Sequence, residues 1–306
     1  MINKDDLYRN INQGVIDDRL YVFWRNIKKN LPAIKKFGGL QKILPRFVSK
    51  NVIVIGAGPS LEHNIAVLRK CQADRSIVLV ATDMSLRLLV RQGIYPSFVF
   101  SCETLPVNFF SGIDTSKMHL VAFTCMSHSN LRQWAGGMSF YNWMLSENGY
   151  RELWDYAGND LGFIATASII STQAVAFVLG AGVKSLLLVG NDLGFSDRFY
   201  ARGASFLEFR GSSASRFSTI ESFDMDLVRR KRDYQIIRGS RMFYTNHQFL
   251  AAKMWLEDLF ASVEVPVYDC SMPGCSEKSV KKVIIEDYCV NSPKNISGEY
   301  LYDSIT

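Results

Sequence analysis

Apolar residues in this 306-residue chain fall into short runs separated by segments with helical spacing. The clearest run is Val52 to Ile55, inside NVIVIGAGPSL. It reads as a buried strand, stopped by Gly56-Ala57-Gly58-Pro59 and followed by a helical pattern with Leu61, Ile65 and Leu68 on one face. Further strands are expected over Ile77–Ala81, Phe98–Cys102, His119–Thr124, Ser139–Leu145, Ser185–Val189 and Val265–Tyr268. Helices are expected over Asp83–Gln92 and Thr166–Leu179, and again from Phe249. Alternation of this kind predicts an α/β fold: a Rossmann-like, doubly wound, mainly parallel sheet.

Three regions interrupt the alternation. Residues 1–47 read as an N-terminal helical extension, with Leu7, Ile11, Ile16, Leu20, Phe23 and Ile27 near helical spacing. Basic residues crowd its end, so it is expected to cap the main domain, the alternative being peripheral contact with a partner or with anionic lipid. The main domain is expected over 48–290. Within it, 194–244 is rich in Ser, Arg, Gly and aromatics and reads as a long insert or lid. Residues 291–306 read as a polar, peripheral C-terminal tail.

In doubly wound sheets, ligands sit beyond the carboxyl ends of the strands. That rule gathers Gly56, Gly58, Pro59, Ser60, Asp83, Glu103, Ser127, Asn191 and Asp192 around one crevice. The small residues after the first strand let a ligand approach the backbone, and the helix N-terminus after them suits a phosphate. Ser60 is placed to cap that helix or to donate to the phosphate. The three acids, Asp83, Glu103 and Asp192, suit ribose hydroxyls, the orientation of a base, or Mg²⁺.

Composition narrows the class. Apolar residues make up 48% and charged residues 21%, which fits a folded globular protein, and a net charge of +6 fits an anionic ligand without implying nucleic acid. The six cysteines show no zinc-ligand spacing and are expected to be reduced thiols. The polar start, MINKDDLYRN, and the absence of a long apolar run suggest no signal sequence, no membrane span and a cytoplasmic location.

GAGPSL, the strand ending in Asp83, FVFSCE, and the small-residue helix leading into LLLVGNDLGF together resemble the MptE-like domain. That domain occurs in the motility-associated Maf flagellin glycosyltransferases and in archaeal 6-hydroxymethylpterin pyrophosphokinases. The family's second motif, GxDLxF, reads here Gly190-Asn191-Asp192-Leu193-Gly194-Phe195, whereas the Glu-Gly-Gly common near the end of Maf proteins is missing from Asp269–Gly274. The layout is also similar to bacterial sialyltransferases that use CMP-sialic acid. That likeness implies nucleotide contacts at Gly58 to Ser60 and Asp83, Thr166 and Ser168 at a helix start, and Tyr200 on the phosphate. It implies a general base at His247, displaced by a few positions, with His128 as runner-up and Asp192 as a further catalytic candidate. The activity so implied is transfer of a nonulosonic acid from a CMP-sugar to a flagellin-like protein or glycan hydroxyl, with no cofactor. The alternatives are a pterin diphosphokinase using ATP and Mg²⁺, held by Asp83, Glu103 and Asp192, and a nucleotide-binding protein without turnover.

Overall fold

The structure is a computed structural model, and residues 4–145, 149–167, 169–204 and 220–290 are described. Among these, a parallel sheet is built from β1 (Asn51–Ile55), β2 (Ile77–Thr82), β3 (Phe98–Ser101), β4 (His119–Phe123), β5 (Gly137–Trp143), β6 (Phe163–Ile164), β7 (Ser185–Val189), β10 (Val267–Asp269) and β11 (Lys281–Lys282). Their order across the sheet is β11-β10-β7-β1-β2-β3-β4-β5-β6. The chain therefore steps outward from β1 to β6, then returns to lay β7 on the other side of β1. That reversal is a topological switch point, where the connections diverge and leave a crevice beyond the strand ends.

β1 and β7 are buried along their whole lengths, as continuous Val/Ile/Leu runs in the middle of a parallel sheet require. Helices α2 (Leu61–Cys71), α3 (Asp83–Arg91) and α6 (Ile170–Gly180) follow β1, β2 and β6. Two shorter helices, α4 (His128–Leu131) and α5 (Tyr150–Ala157), lie between β4 and β6. The start of α6 falls at Ile170, later than its small-residue run suggests, because Ile169 is still extended.

The N-terminal segment forms one long helix, α1 (Lys4–Phe37), which packs on α5 and β5. Two asparagines one turn apart fix it across the strand ends. Asn26 Nδ2 donates to the carbonyls of Thr104 (2.8 Å) and Cys125 (3.0 Å). Asn30 Nδ2 donates to those of Thr124 (3.0 Å) and Met126 (2.8 Å). Phe23 adds an apolar anchor among Phe123, Trp143 and Tyr150.

Residues 194–244 are more than a lid. Arg198 pairs with Glu62 of α2 at 3.0 Å, and Ala201 N–H reaches the carbonyl of Ala57, in the turn before that helix, at 2.8 Å. Residues 205–219 lie outside the described part. A helix, Ile220–Arg230, and an antiparallel hairpin of β8 (Tyr234–Arg238) and β9 (Arg241–Thr245) follow. β11 was not foreseen, because a two-residue lysine pair carries no apolar signal. The tail 291–306 lies outside the described residues. No helix among the described residues is long and apolar enough to cross a membrane.

The cysteines depart from expectation. Cys71, the last residue of α2, is disulfide-bonded to Cys289 in the helix Ile285–Val290, while Cys102, Cys125, Cys270 and Cys275 are free. A separation of 218 residues gave no spacing by which to recognise the pair.

Two outcomes follow. Asn26→Ala orphans two buried carbonyls and should lower unfolding free energy by about 1–3 kcal/mol in a urea titration. Peptide mapping without reductant should recover Cys71 and Cys289 in one cross-linked fragment and the other four cysteines as free thiols.

Candidate functional site

The turns after β1 and β7 meet at the switch point. Gly190 adopts φ +66°, and a Cβ on Gly56 would collide with the Gly190 carbonyl oxygen. A Cβ on Gly58 would lie 2.5 Å from the Asp192 carboxyl carbon. The glycines are therefore needed for close packing of the two turns. Asp192 fills the corner at the start of α2. Its Oδ2 accepts the Ser60 N–H at 2.9 Å, its Oδ1 accepts the Ser60 hydroxyl, and Met272 N–H lies 3.4 Å from Oδ1.

This corrects the expected site. The positive end of the α2 dipole already faces a carboxylate of the protein itself, so Pro59 and Ser60 do not offer free donors to a phosphate. Asp192, the further catalytic candidate, is buried, and burial pushes its carboxyl up to about 7. Asn191 is held in place by its N–H, which donates to Ser271 Oγ (2.8 Å), and by its Nδ2, which donates to the carbonyls of Val54 and Val189.

Residues Gly56–Gly58 and Gly190–Gly194 form one wall of a cavity of about 700 Å³. Asp83 and Glu103, at the ends of β2 and β3, form a second wall. Val15, Arg19 and Phe23 of α1 form a third, the start of α6 (Ile169 to Ser171) a fourth, and Phe199, Tyr200, Gln248 and Phe249 close the far side. Of the expected site residues, Gly56, Gly58, Asp83, Glu103, Asn191, Asp192 and Tyr200 thus lie on one ligand-sized space, while Pro59 and Ser60 do not line it.

Asp83 is almost fully buried, and its Oδ2 accepts the Ser101 hydroxyl at 2.6 Å. Burial raises its carboxyl to about 7, and the nearby Glu103 charge adds to the rise. Glu103 is partly exposed and accepts the Leu105 N–H at 2.8 Å.

The α6 N-terminus has no side-chain cap. Ser171 is 7% exposed, faces the cavity and makes no hydrogen bond through its hydroxyl among the described residues. Here, rather than at α2, a helix N-terminus opens on the cavity with donors available to an anion. Thr166 lies just upstream but is not part of the cavity wall, and Ser168 is outside the described residues.

None of the four histidines lines the cavity. The proposed base, His247, is the first residue of the helix His247–Ala261. Its side chain is 63% exposed and pairs with Asp233 at 3.2 Å. The next two residues of that helix, Gln248 and Phe249, face the cavity instead, so helix phase turns the imidazole away. His128 contacts Asn30 on α1 (3.0 Å), and His119 contacts Ser139 (3.0 Å). Of the acids named for Mg²⁺ under the diphosphokinase alternative, Asp83, Glu103 and Asp192 all line the cavity, Asp192 is hydrogen-bonded to Ser60, and no three His, Cys, Asp or Glu side chains among the described residues are grouped as a metal site.

Arg19, Thr104, Ser171 and Phe249 were missed as cavity residues. Only α1 carried a usable signal, since Val15, Arg19 and Phe23 recur at a four-residue spacing and so share one helix face.

A parallel α/β sheet with a cavity at its switch point defines a Rossmann-like protein. The chain belongs to the MptE-like family, described as 6-hydroxymethylpterin diphosphokinase MptE-like, whose pattern matches residues 25–198. Among solved structures, the Maf glycosyltransferase from Magnetospirillum magneticum AMB-1 shares the fold with a TM-score of 0.56 at 13% identity. The match covers 78% of this chain but only 34% of that one, so the chain spans about a third of its length. No curated protein matches the chain.

The Asp83 carboxyl sets a pH signature. Because it is raised in the fold from its ordinary 3.8 to about 7, the protonated acid is favoured there. Its stabilising contribution is complete below pH 3.8 and is lost as pH rises towards 7. The melting temperature of Asp83→Asn relative to wild type should therefore rise across this interval and level off above it. Parallel melting curves from pH 4 to 8 would show that Asp83 does not titrate in this way.

Proposed function

We propose that the chain is a glycosyltransferase that moves a sugar from a nucleotide-activated donor, a CMP-linked nonulosonic acid, to a hydroxyl of a flagellin-like protein or glycan acceptor. One observation carries this reading. The cavity at the switch point joins an uncapped helix N-terminus, suited to a leaving phosphate, to a carboxyl held near neutrality, suited to the acceptor proton. Phe109, Trp143, Phe199 and Phe249 supply apolar and aromatic walls for a base and a sugar ring.

In this scheme the acceptor oxygen attacks the anomeric carbon while ionised Asp83 takes its proton. The bond between that carbon and the phosphate oxygen breaks, and the nucleotide leaves with the electron pair. Its phosphate is received by the N–H groups at the start of α6, the Ser171 hydroxyl and Tyr200. No metal is required at any step. Asp83 replaces His247 as the base because it faces the cavity and His247 does not.

Diphosphate transfer to a pterin is the second reading, and the family's description together with the paired presence of Asp83 and Glu103 on the cavity favours it. Two carboxylates can hold Mg²⁺ when phosphates complete its shell.

CMP should raise the melting temperature, and CMP-N-acetylneuraminic acid incubated with a hydroxyl acceptor should release CMP. Asp83→Asn should still bind CMP while transfer falls by about 100-fold or more. Stabilisation by ATP, Mg²⁺ and hydroxymethyldihydropterin but not by CMP would move the assignment to the second reading. Binding of CMP without transfer to any acceptor would favour a binding protein.

A further inference from the structure

Arg19 is the one basic residue on the cavity wall among the described residues. It comes from α1, outside the strand-end positions from which ligand contacts in this kind of sheet are normally read. Val15 and Phe23, four residues before and after it, face the same space. The helix carrying it is held firmly, since Asn26 binds the carbonyls of Thr104 and Cys125. Arg19 Nη1 donates to Thr104 Oγ1 at 3.4 Å, which engages only one of five guanidinium N–H donors. No carboxylate among the described residues forms an ion pair with it, although Asp83 and Glu103 line the same cavity.

A half-buried guanidinium aimed into a ligand-sized cavity, with apolar neighbours and no counter-ion, is matched to an anion brought by the ligand. The α6 N-terminus offers N–H donors to one anionic group, and Arg19, on a separate element, serves a second. A nucleoside monophosphate linked to a neutral sugar carries one anion. A nucleoside monophosphate linked to an acidic sugar carries two, the phosphate and a carboxylate on the sugar ring.

We propose that Arg19 is a specificity-determining residue that pairs with the carboxylate of an acidic donor sugar. The assignment rests on the nucleotide-sugar reading above and goes beyond it by naming the residue that selects the sugar. It makes α1 part of the donor site as well as a cap on the sheet.

Isothermal titration of wild type, Arg19→Gln and Arg19→Lys with CMP and with CMP-N-acetylneuraminic acid tests it. Arg19→Gln should weaken the carboxylated donor by about 10- to 100-fold and leave CMP within about twofold. Arg19→Lys, which keeps the charge but not the planar fork, should fall between. Equal losses for both ligands would place Arg19 on the nucleotide phosphate and overturn the assignment, as would unchanged affinity for the carboxylated donor. Wild type that binds CMP, but binds the carboxylated donor no better than Arg19→Gln does, overturns this assignment alone. Wild type that binds neither ligand overturns the nucleotide-sugar reading and this assignment with it.

Discussion

The arrangement of the site depends on where one buried carboxylate goes. Asp192 follows β7, yet its oxygens satisfy the start of α2, after β1, and approach the turn after β10 through Met272 N–H. Three chain segments far apart in sequence are thereby joined at the centre of the sheet. The last of them is itself stiffened from below. Asp269 accepts N–H groups from Ser271 and Cys275 and pairs with Lys282, whose ammonium also reaches the carbonyls of Ser271 and Pro273. Such a buried pair adds little net stability over an apolar replacement, but removing either partner strands a charge. Its effect here is geometric: the 269–274 turn holds Ser271 against Asn191, and the Gly274 N–H against the Asp192 carbonyl.

Under the proposed function, that arrangement puts the phosphate at a different helix. A helix N-terminus binds an external anion only while its donors are free, and α2 has lost its freedom to Asp192. The cavity nonetheless keeps a helix N-terminus of its own at α6. The glycines at 56, 58 and 190 then have a different purpose from the one their spacing suggests. They bring two loops to van der Waals distance so that an internal carboxylate can reach the helix, and they leave bare backbone as the cavity wall.

Much of the fold was legible because buried parallel strands are unbroken apolar runs, and each run from Val52 to Val189 became a strand. The wall acids were legible because strand ends converge in such a sheet. What the residues could not disclose was partner choice. Gly-Pro-Ser before a helix reads the same whether the helix meets a phosphate or Asp192, and those partners lie 132 residues apart. His247 was misplaced for a similar reason. Which of three consecutive residues at a helix start faces inward is a matter of about 100° of rotation per residue, and only packing fixes it. Arg19 was hidden by the opposite effect. Its surroundings look like an ordinary amphipathic cap, and Asn26 and Asn30, which seat that cap on the strand ends, look like polar surface residues until their carbonyl partners are known.

The exclusion of histidine from the cavity has a chemical consequence. A solvent-exposed carboxylate is too weak a base to take a hydroxyl proton efficiently, whereas imidazole titrates near neutrality without help. Burial gives Asp83 the same advantage by another route, because desolvation disfavours its charged form and the neighbouring Glu103 charge adds to the effect. The Ser101 hydroxyl acts in the other direction, stabilising the carboxylate enough for it to ionise near pH 7. A cavity with Asp83 and Asp192 raised in this way, the latter committed to Ser60, with Glu103 left partly in water and a guanidinium from α1 on its wall, has separated its charges by environment rather than by residue type. Two acids with different surroundings can divide tasks that two identical ones could not. The deeper one suits proton transfer, and the shallower one suits hydrogen bonding to hydroxyl groups on the ligand.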